Sequence, residues 1–167
     1  SPKFELEKTN TDYFKYISKN YIFFQFKKKF FEDLNWGINE FEKIISFLEN
    51  KYEKVVFSAD IEKNNYDDYF EKNYSFINFE DNASYVKKNN KKTLYLKKID
   101  PINLFHIVKN ASKILGPHGL ITQISNLLNK KSINLFNFRI KNLQDYHHQK
   151  ISFSEWYSNM GIKFIFL

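Results

Sequence analysis

Lys113-Ile114-Leu115-Gly116-Pro117-His118-Gly119-Leu120-Ile121-Thr122-Gln123 carries an apolar run of strand length into a glycine-flanked corner and out into a helical pattern. The chain has four glycines in 167 residues, and two of them stand in this corner. Where glycine is so scarce, a pair at a strand-to-helix junction predicts a tight turn that brings backbone N–H groups up to an anion. Leu120, Ile121, Ile124, Leu127 and Leu128 then share one side of a helix running from Gly119 to Asn129.

Outward from the corner the same alternation recurs. Tyr21 to Phe26 is a short apolar run that reads as the first strand, and it ends in Lys27-Lys28-Lys29. Ile38, Phe41, Ile44, Ile45 and Leu48 recur at helical spacing, and Lys54 to Ser58 is a second buried strand. The pattern loosens from Ala59 to Lys92: a short helix is expected near Tyr66 to Lys72, a strand at Ser75 to Phe79, and a mobile surface loop at Lys87 to Lys92. Thr93 to Leu96 is a strand, and Asp100-Pro101 has the chemistry of a helix start, an N-cap acceptor followed by a preset backbone. Ser132 to Phe136 is a strand again. Ser152 to Glu155 has capping-box spacing, so a short helix is expected at Ser152 to Asn159, before a last strand at Ile162 to Phe166. Continuously apolar strands alternating with helices imply right-handed crossovers into a mainly parallel sheet buried on both faces. The expected fold is a three-layer α/β, Rossmann-like domain spanning residues 1–167.

Bulk properties narrow the function. Without cysteine, disulfides, cysteine-ligated metals and thiol nucleophiles are excluded, which fits a reducing cytoplasmic setting. No apolar run approaches the roughly 20 residues of a membrane span. The one methionine is Met160, so the chain reads as a domain cut from a longer protein. A net charge of +7 admits a nucleic-acid partner, but only Arg139 among 26 basic residues is arginine, the usual reader of phosphate and guanine. The charge therefore reads as solvated surface, and nucleic acid is disfavoured.

In open parallel sheets ligands sit beyond the carboxyl ends of the strands, where loops enter helix N-termini. At such a place the helix after Gly119 would aim unpaired amides and its dipole at a diphosphate. His118 would project into the cleft, with Thr122 and Gln123 adding side-chain donors one turn along. The alternative is ordinary turn chemistry, with His118 capping a carbonyl. The G-x-x-G spacing is neither the dinucleotide fingerprint nor a P-loop.

The stretch from Ile107 to Phe136 resembles the donor-binding half of GT-B glycosyltransferases. Similarity is strongest to family 61, whose members carry a Gly-Pro-His-Gly-Ala-Gly-Leu-Thr type stretch here, and weaker to the heptosyltransferase-like enzymes of lipopolysaccharide synthesis. The resemblance implies that Gly116, His118 and Gly119 form the loop on the phosphate side of a nucleotide-sugar donor. Leu120-Ile121-Thr122-Gln123 departs from the family by replacing its small Ala-Gly pair. Such enzymes often place a basic residue after the first strand, for which Lys27 and Lys29 are candidates. They need no bound metal or other cofactor, and their catalytic base usually belongs to the other, N-terminal half-domain. From this side only His118 is placed to act on an acceptor hydroxyl.

Remaining constellations carry less. Asp67 and Asp68 are adjacent on a surface helix and diverge. Asp145 with His148 has one-face helical spacing for a metal but no third ligand. His106 reads as a helix-surface residue, and Trp36 and Trp156 as core aromatics. The expected function is donor binding in a GT-B glycosyltransferase of surface polysaccharide or lipopolysaccharide assembly. The rivals are a non-catalytic Rossmann-like interaction module and a lysine-rich nucleic-acid binder.

Overall fold

The computed structural model of the chain describes residues 20–59, 66–79, 82–97, 99–117, 119–136 and 163–166. β1 (Tyr21–Gln25) is buried at all five positions, because it lies mid-sheet with helices on both faces. It leads into a short helix α1 (Lys28–Asp33), the amphipathic α2 (Ile38–Lys51) and β2 (Lys54–Ser58). A helix α3 (Asp67–Asn73) precedes an antiparallel hairpin, β3 (Tyr74–Phe79) and β4 (Asn82–Lys87), and then β5 (Thr93–Leu96). α4 (Pro101–Asn110), β6 (Lys113–Pro117), α5 (Leu120–Leu127), β7 (Ser132–Phe136) and β8 (Lys163–Phe166) complete the described elements.

The strands form one sheet in the order β3-β4-β5-β2-β1-β6-β7-β8. β5, β2, β1, β6, β7 and β8 are parallel; β4 and β3 extend the sheet antiparallel beyond β5. Numbered in chain order, the parallel strands alone read 3-2-1-4-5-6, the doubly wound Rossmann order. The chain builds one flank from β1, through β2 to the edge strand β3 and back inward to β5, then crosses to start again at β6 on the other side of β1. The switch between those two directions lies between β1 and β6.

Period-two alternation splits the core. Tyr21 and Phe23 join Leu104, Ile107, Ile121 and Ile124 on the α4–α5 face, while Ile22, Phe24 and Phe26 join Phe31, Phe41, Ile45 and Leu48 on the α1–α2 face. The second cluster is largely aromatic: Phe57 stacks on Tyr95 at 4.8 Å and 7°, and Phe41 meets Phe26 and Phe57 edge-on. Trp36 meets Phe31 at 5.5 Å, as expected of a packing residue.

Local chemistry sets the element ends. Asp100 accepts from the N–H groups of Ile102 and Asn103, both at 3.0 Å, and Pro101 opens α4 as the sequence predicts. Asn129, just past α5, takes a left-handed φ of 51° that ends the helix.

Four expectations need correction. The Lys27-Lys28-Lys29 run ends a strand but also opens α1, since Phe31 anchors that turn among the aromatics. Lys87 is not in a mobile loop; it closes β4, with its ammonium 3.3 Å from Glu42 and 3.2 Å from Glu49 of α2. The loosely patterned stretch before it hides β4 altogether. His106 is half-buried rather than on the helix surface, its Nε2 enclosed without a hydrogen-bond partner, and burial lowers its affinity for a proton. The helix expected at Ser152 to Asn159, and Trp156, Asp145 and His148, lie outside the described residues.

Candidate functional site

β1 and β6 run side by side to their carboxyl ends, and Gly116 makes their approach close. A Cβ there would stand 2.9 Å from Gln25 Cβ and 3.3 Å from the Gln25 carbonyl oxygen. Gly116 is therefore required by strand packing, whatever binds beyond it. Gln25 is itself buried, its Oε1 accepting from Ser58 Oγ at 2.9 Å, which ties the ends of β1 and β2 together.

Beyond these ends the two chain segments meet again. The Lys27 ammonium approaches the Cα of Gly119, where a Cβ would lie 3.1 Å from Nζ. Lys27 is partly exposed, and among the described residues no carboxylate pairs with it. Two features far apart in sequence, the first basic residue after β1 and the glycine corner after β6, thus occupy one place at the switch point. Gly119 opens α5, whose first-turn amides have no partner within the helix and whose dipole adds positive potential.

The corner is locked from behind by buried polar groups. Gly119 N–H donates to Thr122 Oγ1 at 3.2 Å, Thr122 Oγ1 donates to Asn134 Oδ1 at 2.5 Å, and Asn134 Nδ2 donates to Ser132 Oγ at 3.0 Å. Thr122 and Asn134 are 0% and 1% exposed, so this chain of bonds works in a low dielectric where each is stronger. The Thr122 hydroxyl serves the corner itself, not the space in front of it. Gln123 is exposed on the first turn of α5, and Lys29 is exposed on α1. His118 lies outside the described residues.

The structure thus brings Lys27 and Gly119 together, sets Gly116 against Gln25 and places Thr122 behind Gly119. Sequence reasoning missed Asn134 and Gln25, although a signal was present: each is a lone amide inside a strand that is mostly apolar, where only a partnered polar group is tolerated. No group of three or more metal-ligating side chains exists among the described residues. Asp67 pairs with Lys97 at 3.6 Å. No helix among the described residues is long and apolar enough to cross a membrane.

Strand order, helical layers and a cationic corner at the switch point define a Rossmann-like α/β fold of the doubly wound kind. No protein-family model and no curated protein sequence matches the chain. Among solved structures it is similar to the NMR solution structure of ALG13, with a TM-score of 0.51 and 16% identity over 87% of this chain and 77% of that one. At this identity the likeness is one of fold alone, a Rossmann-like α/β sheet of mainly parallel strands.

Proposed function

We propose that this chain is the nucleotide-sugar-binding half of a GT-B glycosyltransferase. The observation that carries the reading is the convergence of Lys27 on Gly119 at the switch between β1 and β6, where doubly wound sheets bind ligands. The fold likeness to ALG13, a glycosyltransferase subunit, supports it. So does the family 61-type Gly-Pro-His-Gly sequence.

Glycosyl transfer breaks the bond between the sugar's anomeric carbon and the diphosphate, leaving negative charge on the departing nucleotide. Lys27 and the first-turn amides of α5 would stabilise that charge, and Gln123, exposed on the same turn, would add a donor. The acceptor hydroxyl must lose a proton as it attacks. In this reading the base belongs to an N-terminal half-domain, and His118 is the group on this side of the cleft that shares the work. The process served is surface polysaccharide or lipopolysaccharide assembly, on the cytoplasmic side where nucleotide sugars are used.

Calorimetric titration of UDP-, GDP- and CMP-sugars into the wild type, Lys27→Ala and His118→Ala tests the assignment. One donor class should bind, with Lys27→Ala weakening it by about tenfold, the value of one partly exposed charge-assisted contact. Absence of binding by all three classes, or equal binding by the wild type and both variants, would falsify the reading.

A further inference from the structure

We propose that the free edge of β3 docks an extended, acidic segment of a partner protein by strand addition. β3 ends the sheet and, among the described residues, pairs only with β4, so its outward amides and carbonyls have no ladder partner. Tyr74-Ser75-Phe76-Ile77-Asn78-Phe79 contains no charge and no proline, the devices by which proteins keep such edges from pairing. Phe76, in contact with Tyr85 at 5.4 Å between ring centres, is nevertheless 58% exposed. An added strand would cover it.

The opposite face of the hairpin indicates what that strand carries. Ser75, Ile77, Val86, Lys87, Lys88 and Lys91 line a cavity of about 320 Å³. Ile77 and Val86 supply apolar walls. The Lys87 ammonium is held by Glu42 and Glu49, leaving Lys88 and Lys91, both exposed, as its cationic rim. Lys88 Nζ donates to the Lys72 carbonyl at 2.9 Å, and among the described residues no carboxylate lines the cavity. A strand alternating apolar and acidic residues fits: an apolar side chain in the cavity, carboxylates at the two ammonium groups, main chain on the edge. A second copy of this chain fits poorly, because joining two β3 edges would bring both lysine rims together on molecules each carrying +7.

β3 stands four strand positions from β1, about 19 Å at the usual strand spacing. Docking and nucleotide binding are therefore separable in experiment. The probe is a fluorescein-labelled decapeptide alternating Glu with Val and Ile, compared with its Lys-for-Glu counterpart by anisotropy, alongside hydrogen exchange of the β3 amides. The acidic peptide should bind, protect β3 amides, and bind about tenfold more weakly to the Lys88→Glu/Lys91→Glu variant, the sum expected of two rim charge pairs. Both substitutions are on exposed side chains, so an unchanged melting temperature will confirm that the fold is retained. The proposal is overturned if the two peptides bind equally, if binding leaves β3 amides unprotected, or if sedimentation shows the chain itself dimerising through this edge.

Discussion

Gly116 shows how one position can be misread when function is sought first. Its place in a Gly-Pro-His-Gly stretch suggests a phosphate loop, yet the structure gives it a packing reason: β6 passes too close to Gln25 for any side chain. Gly116→Ala should therefore lower stability by about 1–3 kcal/mol through overpacking, seen as a reduced denaturant midpoint with or without nucleotide. Buried tyrosines give a second residue-scale expectation. Burial pushes the Tyr21, Tyr74 and Tyr95 hydroxyls far above the ordinary tyrosine range, with Glu42 and Glu49 adding to the effect at Tyr74 and Asp67 and Tyr85 at Tyr95. Each must stay neutral in the folded chain but ionises near pH 10 when unfolded. Stability is thus complete below about pH 10 and falls above it by about 1.4 kcal/mol per pH unit for each tyrosine. The Tyr74 hydroxyl is buried with no hydrogen-bond partner. Tyr74→Phe should leave neutral-pH stability unchanged or higher and make the alkaline decline shallower, which chemical unfolding between pH 8 and 11 will show.

Legibility varied between elements for physical reasons. β1, β2, β5, β6 and β7, together with α2, α4 and α5, were readable because each presents an uninterrupted apolar run or a clean helical stripe. The Asp100-Pro101 start was readable because its chemistry is local. β4 was not, because Lys87 looked like the first of a solvated lysine run. In fact its side chain is only 13% exposed, with the ammonium between two glutamates of α2, and one of these, Glu49, also accepts from buried Thr93. Only tertiary pairing distinguishes Lys87 from its exposed neighbours. Removing it strands two partly buried carboxylates, so Lys87→Ala should cost about 3 kcal/mol and loosen the hairpin, measurable as faster hydrogen exchange in β3 and β4. In the candidate site, the glycine corner and Lys27 were visible one at a time, but their meeting was not, since 92 positions separate Lys27 from Gly119. The Thr122–Asn134 bond escaped for the same reason.

At the scale of the whole molecule, the sheet has two sides laid down in succession. Everything from β1 to β5 builds one flank, and everything from β6 onward builds the other, starting again beside β1. Exposed lysines do not disturb such a plan, and the fold is accordingly indifferent to the net charge of +7 that first suggested a nucleic-acid partner.

That single return crossing makes the polypeptide divisible. Between β5 and α4 one strand of covalent chain joins the flanks, while β1–β6 pairing and the Tyr21 hydroxyl, which donates to the Ile107 carbonyl at 2.5 Å, hold them noncovalently. Fragments covering residues 1–97 and 98–167, expressed together, should therefore reassemble into a nicked molecule that co-purifies and melts as one body.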